Sequence, residues 1–344
     1  MLVSRLYGIQ SSEADLGRRR LFAGLVVLFG AGLFILLLWD PHPETTKSFD
    51  RGRNGLWLGH KWYTGFGVRS GLAVPPEEAV RLAENMRRHQ VRYAFVHVGP
   101  AGYDGTLPDS AGPILTELRQ AAPRVQVLAW LGARVDKIDL NSPLFQSNLL
   151  DSISTLQSEG FHGVHFDFEP MRDFEDGYLE LLERVRDRMG SDFVISQATP
   201  RAGPFGIAVG PMRRSFWSEA FYRETMNRSD QTVVMAYDTK LSFRKGYVAF
   251  VRHQTNLMAD WACNMPGHEA LIGIPAHEDV PTYADPEIEN IHTAALGVRS
   301  ALESRSDDSE CVSGVAVYAN WVTDESEWNQ YRSHWMNPDK TPSP

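Results

Sequence analysis

Gly163-Val164-His165-Phe166-Asp167-Phe168-Glu169-Pro170 alternates ionisable and apolar side chains. A β-strand turns successive side chains to opposite faces, so His165, Asp167 and Glu169 share one face while Val164, Phe166 and Phe168 share the other. Such a strand suits a barrel wall, with helices packed on its apolar side and the barrel axis on its ionisable side. Ionisable groups facing a protein interior are costly unless paired or functional. The alternative is a polar cluster that merely closes the barrel, or a solvated strand end.

Outward from this strand the same grammar repeats. Short β-branched or aromatic runs stand at 62–68 (WYTGFGV), 93–99, 125–132, 163–169, 193–199, 232–238, 270–276 and 314–321. Amphipathic helical patterns fill the gaps, for example EEAVRLAENMRRH after Pro75-Pro76 and SPLFQSNLLDSISTLQSEG from Ser142. Gly160 and Gly190 end two of them, as left-handed C-terminal residues do. Eight strands alternating with eight helices predict an α/β fold, a single (β/α)8 (TIM) barrel whose site lies at the C-terminal ends of the strands. An open doubly wound sheet is the rival; the missing G-x-G-x-x-G turn weakens only its dinucleotide-binding form.

The barrel accounts for residues 57–338 of 344 and leaves a different kind of segment in front. Leu21 to Trp39 reads LFAGLVVLFGAGLFILLLW, without a charge. At 1.5 Å per residue this run reaches about 28 Å, the thickness of a bilayer's hydrocarbon core. Arg18, Arg19 and Arg20 precede it and Asp40 follows. The positive-inside rule then predicts a cytoplasmic tail (1–20), a transmembrane signal-anchor helix (21–39), a linker (40–56) and an exported barrel, with a short tail at 339–344. A cleaved signal peptide is the alternative, but its apolar region would be shorter and followed by a small-x-small site. The first 56 residues carry seven Lys/Arg against five Asp/Glu, so +2, and the remainder carries −11 of the total −9. An acidic domain argues against a nucleic-acid partner. With 43% hydrophobic residues the chain is neither disordered nor collagen-like, and two Cys are too few for a disulfide scaffold or a four-Cys zinc module.

A second motif, Met235-Ala236-Tyr237-Asp238, ends the sixth strand. Together with His162-Gly163-Val164-His165-Phe166-Asp167-Phe168-Glu169 it resembles glycoside hydrolase family 18, the chitinase-like barrels, whose fourth strand carries D-G-x-D-x-D-x-E and whose sixth carries M-x-Y-D. Leu131-Gly132-Ala133, Gly273-Ile274-Pro275 and Tyr318 are weaker echoes, and the likeness spans about residues 57–336. The resemblance implies retaining, substrate-assisted cleavage of a β-linked N-acetylhexosamine glycan, a polysaccharide or oligosaccharide, without a cofactor. Glu169 would be the general acid and base. Asp167 would orient the substrate's 2-acetamido group, which is the nucleophile, and Tyr237 would donate a hydrogen bond to it. Asp238, His165, Met235, Tyr318, Trp321 and Gln197 make up the expected substrate-binding set, with Tyr103, Trp130 and Arg201 further candidates by position.

The first two acids of the family motif are His162 and His165 here. A neutral His165 would still donate a hydrogen bond to Asp167, whereas an imidazolium would hold Asp167 ionised and weaken Glu169 as an acid. His162, His165, Asp167 and Glu169 also admit a metal-dependent hydrolase, since imidazole and carboxylate suit zinc or iron. A third reading is a non-hydrolytic sugar-binding barrel. Cys263 and Cys311 each stand just before one of the last two strands, at the end of the barrel opposite the site. After export they would form a disulfide; two structural thiols are the alternative.

Overall fold

Gly163 opens a strand because nothing larger fits there: a Cβ would lie 2.1 Å from the Val194 carbonyl oxygen of the neighbouring strand. That close approach belongs to a parallel barrel. The computed structural model describes Gly24 and residues 47–107, 110–276, 284–305 and 308–336. The chain divides into two units, Met1–Pro41 and His42–Pro344, and every element discussed below lies in the second. Among the described residues β1 (Asn54–Leu58), β2 (Val91–Pro100), β3 (Gln126–Arg134), β4 (Gly163–Glu169), β5 (Val194–Thr199), β6 (Gln231–Met235), β7 (Glu269–Pro275) and β8 (Val312–Tyr318) close in sequential order into a barrel. All neighbouring pairs are parallel, including β1 with β8.

Helices return the chain between strands: α1 (Pro76–Arg88), α2 (Pro113–Ala121), α3 (Pro143–Ser158), α4 (Asp176–Met189), α5 (Glu219–Met226), α6 (Arg244–Ala262), α7 (Ile291–Glu303) and α8 (Glu325–Tyr331). Their starts follow local chemistry. Ser142 accepts from the Phe145 N–H with Pro143 in the first turn, and Asn290 with Thr293 forms a capping box.

Two cores result from the strand period of two. One lies between sheet and helices and takes Val164, Phe166 and Phe168 of β4, with Tyr178 of α4 against both phenylalanines. The other fills the barrel with Trp57, Tyr93, Phe95, Leu128, Trp130, Val233 and Leu271. Burying a ring such as Phe166 contributes about 1.5–3 kcal/mol.

The expected first strand at 62–68 is a correction. Lys61–Thr64 is a turn of helix ended by Gly65 at φ 82°, and Phe66 makes only an isolated bridge to Ala73. Gly65 and Gly67 interrupt that run, while the actual strand, Asn54-Gly55-Leu56-Trp57-Leu58, lies largely inside the stretch read as linker. Gly55 is required there, since a Cβ would stand 2.8 Å from the Phe95 ring and 2.9 Å from the Ala316 Cβ. Asn54 closes the barrel: its Oδ1 accepts from Val315 N–H (3.1 Å) and Trp335 Nε1–H (3.0 Å), and its Nδ2 donates to Asp50 Oδ1 (2.8 Å) and Gln90 O (3.2 Å). Ser48 likewise donates to Met336 O at 2.7 Å.

Among the described residues no helix is long and apolar enough to cross a membrane. The expected anchor at 21–39 falls almost wholly outside them.

Candidate active site

The C-terminal ends of the strands surround a cavity of ≈ 250 Å³. Asp167 and Glu169 enter it from β4, Met235, Tyr237 and Asp238 from the end of β6, and Tyr318 from the end of β8. The two motifs therefore converge. Gly273 of β7 makes room for this, because a Cβ would press to 3.1 Å on the Tyr237 ring. Tyr237 stacks on Tyr318 with ring centroids 5.2 Å apart, and Trp57 meets both rings edge-on from below. Asp238 adopts φ 55°, a left-handed conformation uncommon outside glycine.

The carboxyls differ in environment. Asp167 Oδ2 accepts from Trp130 Nε1–H at 2.8 Å, while its Oδ1 is buried with no hydrogen-bond partner among the described residues. Burial raises its pKa, opposed by the indole bond. Glu169 ends the strand and opens to the cleft, yet the surrounding walls remove enough water to push its pKa up, to about 7. The charges of Asp167 and Asp238 push the same way, and Arg201 opposes them. Close carboxyls with raised pKa values hold a proton between them near neutrality. The site can therefore deliver a proton to an oxygen in the cleft and take one back.

His165 does not line the cavity, which corrects its place in the substrate-binding set. It is completely buried beneath Asp167's level of the barrel, stacked on Phe95 (3.9 Å between centroids) with Trp57 edge-on. Burial pushes the imidazole down to about 3, so it is neutral. Its Nδ1 bonds Ser196 Oγ (2.7 Å), Ser196 donates to Gln231 Oε1 (2.7 Å), and Gln231 Nε2 donates to Glu269 Oε2 (3.3 Å). Glu269 meets Arg53 at 2.9 Å. Because Ser196 spends its proton on Gln231, His165 is the donor on Nδ1 and carries a bare Nε2, which has no partner among the described residues. The expected hydrogen bond from His165 to Asp167 is thus absent: its one N–H goes to Ser196.

Gln197 is a second correction. Position 197 falls on the outer face of β5, where the side chain is buried and bonded to Tyr178, Ser229 and Thr232. Trp321 lies at the rim, half exposed and parallel to Trp130 at 6.3 Å. Tyr103 is exposed in the loop after β2. Arg201 lines the cavity, as its position suggested, and Pro170, Met171, Pro200, Arg214 and Ser215 join it without any sequence signal.

The metal reading does not survive the geometry. His162 sits at the other end of β4, accepting from Val127 N–H at 3.0 Å, and His165 is sealed below the cavity. Among the described residues one group of three, Cys263, Asp308 and Cys311, brings ligand atoms together. Its two sulfurs are joined in the expected disulfide, with Cα atoms 5.1 Å apart.

A (β/α)8 barrel whose fourth strand projects two carboxyls with raised pKa values into an aromatic-lined cleft defines a glycoside-cleaving class of site. The model of the glycosyl hydrolases family 18 matches residues 85–342, and the chain belongs to this family and is a glycosidase. The fold is similar to that of the spore cortex-lytic enzyme SleL of Bacillus cereus (TM-score 0.57, 14% identity, covering 82% of this chain and 74% of that one). It is also similar to a putative chitinase A of Streptomyces coelicolor (TM-score 0.55, 15% identity, 82% and 96% covered). A family 18 chitinase of Chromobacterium violaceum aligns comparably (TM-score 0.54, 14% identity, 84% and 81% covered). No curated protein matches the chain in sequence.

Proposed function

We propose that the chain cleaves a β-linked N-acetylhexosamine glycan with retention of configuration, with the substrate's 2-acetamido oxygen as nucleophile. The observation that carries this is the pairing of Asp167 and Glu169 on one face of β4, opening into the cavity that Tyr237 and Asp238 also line. Glu169 gives its proton to the glycosidic oxygen as the C1–O bond breaks, and the acetamido oxygen bonds C1. Asp167, ionised, faces the positive oxazolinium, and Tyr237 donates to the acetamido oxygen. Glu169 then removes a proton from the water that reopens the ring, which restores its starting state.

The test is product analysis on N-acetylglucosamine oligomers with the parent chain and Glu169→Gln. The variant is expected to lose about 10²–10⁴-fold in kcat. Cleavage by the variant at the parent's rate, or binding without cleavage by the parent at every pH from about 4 to 8, overturns the assignment.

Residues 21–39 act in this reading as a single-pass anchor that leaves the barrel outside the cytoplasm. The uncharged run behind three arginines supports it, and the Cys263–Cys311 bridge fits an oxidising compartment. In cell fractions the full chain should stay in membranes through an alkaline wash and leave them in detergent. Release by the alkaline wash, or a mature N-terminus beyond residue 39, would refute the anchor.

A further inference from the structure

Three carboxyls in one small cavity call for a cation, and the cavity wall holds two guanidiniums that neutralise none of them by direct contact. Arg201 donates from Nη1 to the backbone oxygen of Asp238 at 3.1 Å and lies over the Phe216 ring at 5.7 Å. Among the described residues it forms no ion pair with a carboxylate. Arg214 ends the 3₁₀ turn Gly210–Arg214 and lines the same cavity at its exposed mouth, its side chain without a hydrogen bond or ion pair among the described residues. Its neighbour Arg213 is the contrast: it meets Asp173 at 3.7 Å and lies over Phe174 at 5.1 Å. Arg186 with Asp230 (2.5 Å) and Arg228 with Glu183 (2.6 Å) are paired in the same way.

A neutral glycan offers hydroxyl and amide groups alone. Seated in the cleft, it would displace water from Arg201 and Arg214 and give no charge in return. A guanidinium matches a carboxylate through paired N–H donors, which makes arginine the residue of choice for a planar anionic group. Asp238 and Glu169 line the same cavity and would repel that group, so within it only the two arginines can hold a carboxylate. We infer that the glycan cleaved here carries a carboxylate on a sugar beside the scissile bond, held by Arg214 together with Arg201. This rests on the glycosidase reading above and specifies its substrate class. A carboxylate of this kind is either part of a uronic acid ring or carried on an ether side arm.

The experiment uses the full chain in detergent with matched oligomers of three kinds. One is neutral N-acetylglucosamine, one alternates N-acetylglucosamine with glucuronic acid, and one alternates it with N-acetylmuramic acid. Each acidic oligomer is also supplied as its methyl ester. One acid is expected to exceed its own ester in kcat/KM by about 10-fold or more, mostly through KM, with the advantage shrinking at high salt. Which acid wins identifies ring or side arm. Arg214→Gln should bring that acid-to-ester ratio toward one, while Arg214→Lys keeps part of it. Equal cleavage of acid, ester and neutral oligomer overturns the inference and leaves the glycosidase intact. So does an acid-to-ester ratio that Arg214→Gln does not change. Failure of the parent chain to cleave any of the oligomers overturns both readings.

Discussion

Trp130→Phe isolates one hydrogen bond in the site. Its indole N–H is the donor to Asp167 Oδ2, and Asp167 Oδ1 has none among the described residues. The substitution keeps an aromatic ring for the contacts with His97 (4.6 Å) and Trp321 (6.3 Å) and removes only the donor. A hydrogen bond to a charged acceptor contributes about 1.5–3 kcal/mol. At 1.36 kcal/mol per pKa unit, its loss should raise the Asp167 pKa by about one to two units beyond the rise burial already imposes. Since Asp167 must be ionised to face the oxazolinium, the acidic limb of the kcat/KM profile should move toward neutrality by that amount. Glu169, pushed up in part by the Asp167 charge, loses some of that push, so the bell narrows from both sides. Stability follows the same linkage. Asp167 takes up its proton more readily folded than unfolded, so the stabilisation is complete below the ordinary carboxylate pKa and fades as pH rises through the raised one. The variant should therefore lose more Tm at pH 8 than at pH 4. A uniform drop in kcat/KM with an unmoved acidic limb would refute this reasoning and leave Trp130 as a surface for stacking sugars.

Asp238→Asn removes a charge that raises Glu169, so the basic limb of kcat/KM should shift to lower pH; an unchanged limb would show that burial and Asp167 set the acid without Asp238. Asn54→Ala leaves the Val315 and Trp335 donors without an acceptor, and at about 1–3 kcal/mol each the loss should be about 2–6 kcal/mol in urea unfolding. Cys263→Ser with Cys311→Ser opens a loop of 48 residues, worth about 4 kcal/mol on loop entropy. Tm should fall by roughly 10 °C while cleavage at 25 °C is retained, because the bridge lies at the end opposite the site.

The β4 pattern was legible because its period of two separated ionisable from apolar side chains, and the structure places its last two acids in the cavity. Met235, Tyr237 and Asp238 are legible through the M-x-Y-D motif of the family resemblance, and Tyr318 as an aromatic near the end of the eighth strand. Gln197 was misplaced although parity was available: with β5 spanning 194–199, Ser196 and Ala198 take the inner face and Gln197 the outer. His165 shows a different limit. Parity put it on the inner face, but depth along the axis decides whether an inner residue lines the cleft or the packed floor. Arg214 and Ser215 enter from a 3₁₀ turn in a long loop, where periodicity carries no information. The first strand is hidden in the sequence because its five residues open with Asn-Gly at the end of a polar run that reads as linker.

The knot at Asn54 sets an order on folding. The first strand pairs with the last over Gly55–Ala316 and Leu56–Val317, and Asn54 accepts from Val315 and Trp335. None of these partners exists until nearly the whole chain has been made. Until then β1 can pair with β2 but offers an open edge on its other side, and such an edge recruits other chains. Contacts this distant in sequence also form slowly. A nascent chain ending before Val312 lacks β8 and holds an arc, not a barrel. Ribosome-stalled chains ending at residue 300 should accordingly remain protease-sensitive, and resistance should arrive as a single late step.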